Sequence, residues 1–387
     1  MHIDAEIYRL KDRLIQHRRH LHKYPETGFD LSSTRYYILS WLERWGFDEI
    51  RIVAGSGIKA VMKGNDGGMT LAFRADMDAL PLHEETGVEF ASVNCGRMHA
   101  CGHDGHMAIL LGLAEWLSFH KEELKGNVVL IFQPAEETVG GALPMIKEGV
   151  LENPGVDAIF GFHVLPDIPQ GKIGLRAGPV MAQTCEFTVE VTGKSAHGAM
   201  PHRGVDALLA ACYFVNAVHG LIGRWISPDD KALLTIGKLH AGEKRNIIAG
   251  KATIEGIIRT FDEGVYKRIK ESIQGLLSGL ELSHRVKAQY REDVYYPVVN
   301  NDANLVSQLK KFLPPDVLQD VQPLMIAEDF SYYQQNVPGV YMFLGCGNES
   351  KGFTAPLHSS KFNFDEEVLL YGLQVYHDII KGFGVVR

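Results

Sequence analysis

Positive charge is in short supply in this chain: 39 lysines and arginines face 47 aspartates and glutamates, a formal net charge of −8. A nucleic-acid-binding face needs a clustered positive field, so that class of partner is excluded. Cysteine is scarce and odd in number. Cys95, Cys101, Cys185, Cys212 and Cys346 are too scattered for a disulfide framework, and a reducing cytoplasm is the expected compartment. Long apolar runs are missing too. No window approaches the roughly 20 residues that span a bilayer, and the N-terminus carries no apolar core of signal-peptide length, so neither export nor membrane insertion is expected. The glycine-rich piece at residues 64–68 lacks the Walker or dinucleotide spacing. There is no Gly-x-Ser-x-Gly elbow for a serine nucleophile, and no internal repeat.

What is present is an ordinary globular composition, 45% hydrophobic and 22% charged over 387 residues, which leaves room for two separate cores. Residues 4–22 and 31–46 show helical spacing on either side of Tyr24-Pro25-Glu26-Thr27-Gly28, a turn no helix crosses. The basic cluster at residues 17–22 reads as a solvated helix face. Short strands are expected at 50–53 and 59–63, then buried strands at 69–74, 128–133 and 158–162, each a continuous apolar run of the kind covered on both faces. Helices are expected at 107–119 and 140–150. From about residue 182 the rhythm becomes strand, helix, strand, strand, helix, strand, the split ferredoxin-like order. The predicted architecture is therefore α/β: a mixed-sheet α/β/α domain at residues 1–182 and 294–387, with a ferredoxin-like α+β domain inserted at 183–293.

The chemistry concentrates in Met98-His99-Ala100-Cys101-Gly102-His103-Asp104-Gly105-His106, where thiol, imidazole and carboxylate donors occur at metal-ligand density. On these residues alone, a solvated His-rich loop with a buried cysteine is the alternative. Three apolar strands then each run into acid or imidazole: Asp76 and Asp78, Glu136 and Glu137, and His163. Open α/β sheets place their chemistry at strand carboxyl ends. Adjacent carboxylates on an irregular turn repel, and a cation resolves that conflict. Cys101, His103, Glu137, His163 and His358 are thus candidate ligands for a pair of divalent ions. Glu136 is the candidate general base. Manganese, zinc, nickel and cobalt all suit such a donor set.

These stretches, together with His20-Leu21-His22, Pro25-Glu26, Arg74-Ala75-Asp76-Met77-Asp78-Ala79-Leu80-Pro81, residues 193–201, Ala327-Glu328-Asp329-Phe330-Ser331 and Pro356-Leu357-His358, make the chain similar over essentially its whole length to a known group. It resembles the hippurate hydrolase and aminoacylase branch of the metallopeptidase family that includes carboxypeptidase G and succinyl-diaminopimelate desuccinylase. The resemblance implies the ligand and base assignments above and places Asp78 close to the metal. It also implies that the inserted domain is a lid or dimerisation domain. His197 would reach from that domain, in the partner subunit of a homodimer, to the tetrahedral oxyanion. Asn246 and Arg259 would grip the substrate carboxylate. The His-x-Asp of the desuccinylase branch is absent, Asp76 standing where that histidine would be. Ala249 replaces a proline common in relatives. The implied activity is metal-dependent hydrolysis of N-acyl amino acids, with a dipeptidase or carboxypeptidase, or an inactive binding homologue, as the alternatives.

Overall fold

The computed structural model of the chain describes residues 1–65 and 67–386. The chain divides into two compact units: Met1–Val180 with Asn300–Gln322 and Asp329–Arg387, and Met181–Val299 with Pro323–Glu328.

The first unit is built on an eight-stranded mixed sheet. Its order is Glu49–Val53, Gly57–Met62, Asn127–Gln133, Thr70–Asp76, Ala158–Pro169, Gly339–Gly347, Ile173–Gly174, Leu318–Gln319. The four inner strands, from Asn127–Gln133 to Gly339–Gly347, run parallel. Every residue of Thr70–Asp76 is buried, as are all but the first of Asn127–Gln133, which is why both read as unbroken apolar runs rather than alternating ones. Helices Lys11–Lys23, His103–Phe119 and Glu367–Gly382 pack on one another. The second of these is buried continuously from His103 to Leu117: apolar residues enclose it in the core from Met107 on, while His103, Asp104 and His106 are buried in its polar first turn.

Two expectations need correction here. The basic cluster at residues 17–22 is not a solvated face: His17, Arg18 and His22 are buried. Asp104 neutralises two of them, its Oδ2 accepting from Arg18 Nε at 3.2 Å and from His22 Nδ1 at 2.9 Å, while His22 Nε2 lies 3.1 Å from Glu84 Oε1. His17 instead packs edge-on against Trp41 and Trp45. His163 does not end its strand. It lies in the middle of Ala158–Pro169, because pairing with Gly339–Gly347 carries the strand onward.

A carboxylate at each ring nitrogen makes His22 a buried imidazolium. Burial alone would lower its pKa, but the Asp104 charge and the hydrogen bonds to Asp104 and Glu84 outweigh it and raise the pKa from 6.5 to about 9. A raised folded-state value means the stabilisation is complete below pH 6.5 and is lost as pH climbs through 9. The shift corresponds to at most about 3 kcal/mol. Urea unfolding from pH 6 to 10 is expected to show the stability gap between wild type and His22→Gln closing over that window. A flat gap would mean that His22 is neutral.

In the second unit, Gln183–Thr192, Ala232–Ala241, Lys251–Thr260 and Lys287–Tyr296 form an antiparallel sheet. The first strand pairs with the third and fourth, and the second lies at an edge. With helices Ala207–Trp225 and Glu263–His284 this is the ferredoxin-like order expected from the rhythm. Asp206 caps the first helix by accepting from Leu208 and Leu209 N–H, and Asp262 caps the second through Val265 N–H. Segment Pro323–Glu328 joins this unit because Ala182 N–H meets both Leu324 O (3.0 Å) and Ile326 O (2.9 Å). Contrary to the hydropathy reading, Ala207–Trp225 is long and apolar enough to cross a membrane by length and composition. Its Ala207, Ala210, Ala211, Phe214, Val218 and Leu221 are spent on the unit's own core.

Candidate metal and catalytic centre

The first unit brings Cys101, His103, Glu137, His163 and His358 together from four separate segments. Gly102 makes the first junction. Its φ of 86° turns the chain between Cys101 and the helix that begins at His103, and an added Cβ would stand 2.3 Å from Val164 Cγ2, so only glycine fits. Cys101 Sγ lies 3.2 Å from His163 Nε2 and 3.2 Å from His358 Nε2. Glu137 Oε1 lies 3.4 Å from His358 Nε2 and 3.8 Å from His103 Nε2. Two of the imidazoles are oriented by backbone: His103 Nδ1 donates to Asp78 O (2.8 Å) and His163 Nδ1 to Val164 O (2.7 Å). Each therefore presents an Nε2 lone pair to the cluster.

The spacing is that of a metal shell. Donors bonded at about 2.0–2.3 Å to a common ion stand about 3–4 Å apart. His103 Nε2 is sealed from solvent with no hydrogen-bond partner among the described residues, a costly state for a polar atom unless a cation satisfies it, and the equally sealed Glu137 Oε1 has only imidazoles 3.4 and 3.8 Å away. Two sets, Cys101 with His103 and His163, and Cys101 with Glu137 and His358, each place their donor atoms within 4.8 Å of one another. The residues present thus fit divalent ions. Backbone strain collects at the same place. His358 (φ 62°) and Ala135 (φ 59°), the residue before Glu136, both adopt left-handed conformations that side chains avoid.

Electrostatics agree. Burial, reinforced by the Glu137 and Glu136 charges, holds the Cys101 thiol well above its ordinary pKa. A thiolate there calls for a nearby dication. Burial also favours neutral Glu137, yet the His358 and His103 imidazoles beside it bring its pKa down to about 2. Burial lowers His163 to about 3, so it is a neutral, ligand-ready imidazole. Asp78 carries the Glu136-Glu137 turn: its Oδ1 accepts from Glu136 N–H (2.9 Å) and its Oδ2 from Glu137 N–H (3.2 Å). Burial lifts Asp78 to about 7, and the nearby Glu137 carboxylate acts in the same direction.

The remaining candidates lie in the second unit. Ala196–His197 and Ile247–Ile248 form a two-stranded ribbon with Ile247 opposite His197, and Gly198 N–H donates to Asn246 O at 2.7 Å. One ribbon thus carries both His197 and Asn246. His197 is exposed, and its Nδ1 accepts from Ala199 N–H (3.1 Å), leaving the proton of the neutral ring on Nε2. Arg259 sits on the inner strand Lys251–Thr260, flanked by Thr184 and Leu233. It is half-buried, and its Nη1 is closed off from solvent with no partner among the described residues. Burial, opposed by the Glu186 charge, depresses its pKa.

Sequence reasoning missed the supports beneath the site: the Arg18–Asp104–His22–Glu84 chain, and Arg74 with Gln133 and Asp329. A charged residue inside an otherwise apolar strand, as Arg74 is, was the available signal. The partners lie far off along the chain and could not be read.

A mixed α/β sheet that gathers thiolate, imidazole and carboxylate donors around one centre defines a metal-dependent hydrolase. The family described as Peptidase family M20/M25/M40 matches residues 72–382, and the chain belongs to that family. It is 38% identical to thermostable carboxypeptidase 1 of Saccharolobus solfataricus, over 95% of this chain and 94% of that protein. It is 37% identical to an N-acetyldiaminopimelate deacetylase of Bacillus velezensis, over 93% and 95%. The Bacillus subtilis YXEP protein, a dinuclear metal-binding peptidase of the M20 family, superposes with a TM-score of 0.82 at 33% identity, covering 96% of this chain and 97% of that one. The chain is accordingly a metal-dependent amidohydrolase working with divalent ions.

Proposed function

We propose that the chain hydrolyses the amide bond of N-acyl amino acids, releasing a carboxylic acid and the free amino acid. The observation that carries this reading is the guanidinium nitrogen Nη1 of Arg259, unpartnered among the described residues, which calls for an anion such as the free carboxylate of an amino acid. The deacetylase names among its relatives support the acyl half.

In this reading Cys101, His103, Glu137, His163 and His358 hold two divalent ions. Once bound, these lower the pKa of water and polarise the scissile carbonyl. Glu136 takes the proton of the attacking water and returns it to the leaving amine. Asp78 keeps Glu136 in place by accepting its N–H. His197 donates Nε2–H to the developing oxyanion, and Asn246 and Arg259 hold the carboxylate. The chain is proposed to act in the cytoplasm, which suits its free cysteines, as a homodimer. Leu208, Leu209, Tyr213 and Trp225, exposed along one helix, support the dimer, which sedimentation would measure.

A second reading follows from the similarity to a carboxypeptidase, since a peptide's terminal carboxylate would satisfy Arg259 equally. Release of free amino acid from N-acetyl, N-benzoyl and N-indoleacetyl amino acids and from dipeptides, after chelation and refilling with manganese, zinc, nickel or cobalt, separates the two. Acyl amino acid cleavage restored by metal is expected; cleavage of dipeptides alone would transfer the assignment. Arg259→Met is expected to lower kcat/KM for the carboxylate substrate about 10–100-fold, the loss of a charge-assisted hydrogen bond, while barely affecting the corresponding carboxamide. Equal losses on both would remove the carboxylate role.

A further inference from the structure

We propose that His106, the last imidazole of Cys-Gly-His-Asp-Gly-His, is a positioning residue for His163 and not a metal ligand, and that Asp329 and Arg74 anchor it through Asp76. This rests on the reading of His163 as a ligand.

Both nitrogens of the His106 ring are engaged. Val164 N–H donates to Nε2 at 3.0 Å, which uses the ring's lone pair. The proton is therefore on Nδ1, which donates to Asp76 Oδ1 at 2.6 Å. No lone pair remains for an ion. The carbonyl of Val164, in the next peptide unit, accepts from His163 Nδ1 at 2.7 Å. His106 thus holds the backbone of Val164 on one side, and the carbonyl of the same residue orients the ring and tautomer of His163, whose Nε2 faces Cys101 Sγ. Behind His106 the chain of bonds continues. Arg74 Nη1 donates to Asp76 Oδ2 (2.6 Å), Arg74 Nη2 to Asp329 Oδ1 (3.0 Å), and Arg74 Nε to Gln133 Oε1 (2.9 Å). Gln133 Nε2 and Ala142 N–H also donate to Asp329. Asp76, His106, Arg74 and Asp329 are all buried. Apolar residues of similar volume are often at least as stable as a buried ion network, so what this one provides is geometry.

The competing reading is direct: Asp76, His103 and His106 also stand close enough to share an ion. The test uses the full chain with manganese or zinc, reading ions per chain at saturation, dissociation constants by chelator competition, and the rise in Tm that metal produces over the metal-free protein. In His106→Asn, whose shorter amide retains the reach to Asp76 but loses the acceptor for Val164 N–H, the ion count stays at the wild-type value and the dissociation constant rises 10–100-fold. The metal-induced rise in Tm shrinks accordingly. His106→Gln, which restores an acceptor at the far edge of the ring, recovers most of the affinity. Asp329→Asn, a gentler change, moves affinity in the same direction by a smaller factor. Loss of one ion in either His106 variant overturns the proposal in favour of ligation. Equal lowering of metal-free and metal-bound Tm with unchanged affinity overturns it in favour of a purely structural role. His163→Ala tests the underlying reading separately: an unchanged ion count there means that His163 is not a ligand, whatever the His106 variants do.

Discussion

Replacing Glu136 by alanine is expected to leave the full complement of metal bound and to lower kcat by about 10²–10⁴-fold, the range that a positioned general acid–base supplies. The separation of the two effects follows from the turn. Asp78 accepts the N–H groups of Glu136 and Glu137, so the backbone that aims Glu137 at His103 and His358 is held without help from the Glu136 side chain. Elemental analysis alongside turnover checks this. Activity within a factor of a few of wild type would remove the general-base assignment, and loss of metal would make Glu136 a ligand. Asp78→Ala, by contrast, is expected to lower both metal affinity and turnover, because it frees the whole turn.

Removing Arg18 is expected to cost about 3–5 kcal/mol, since truncating one partner of a buried ion pair leaves the other charge uncompensated. The site is unusually committed. Arg18 is almost fully buried, with its guanidinium 3.7 Å above the Phe364 ring, and its Nη1 also donates to Phe364 O at 2.9 Å. Among the described residues Asp104 would retain His22 as its hydrogen-bonded counter-charge, and its Oδ1 already lacks a hydrogen-bond partner there. The urea midpoint of Arg18→Ala is the measurement. A drop below about 1 kcal/mol would show that His22 alone neutralises Asp104. The double change Arg18→Met with Asp104→Leu removes both charges and is expected to recover part of the loss, as apolar replacements of buried pairs often do.

These two predictions draw on different levels of the molecule, and sequence exposed them unequally. Glu136 and Glu137 were legible as a pair because adjacent carboxylates at a strand end have no structural purpose that a neighbour could supply. Cys101 and His103 were legible by density, and the ferredoxin-like unit by its strand and helix rhythm, because helical and strand periodicities are local properties. His103 and His106 were legible as imidazoles of one dense motif, but what each ring bonds to was not. Which nitrogen of each ring is occupied depends on Asp78 O in one case, and on Asp76 and Val164 N–H in the other.

Alone, the sequence determined the α/β class and its layers and offered the acids, thiol and imidazoles near Glu136 as candidates, since hydrophobic period and residue chemistry need no knowledge of distant contacts. Only the tertiary structure decided that Arg18 and His22 belong to a buried charge network and not to a solvated face. It alone placed His163 in mid-strand, sealed His103 Nε2 and Glu137 Oε1 from solvent, and tied Arg74 to Asp329 across 255 positions of chain. The reason is physical: burial and hydrogen-bond pairing are set by side chains that folding brings together from remote positions, and helical or strand spacing reports nothing about which ones meet.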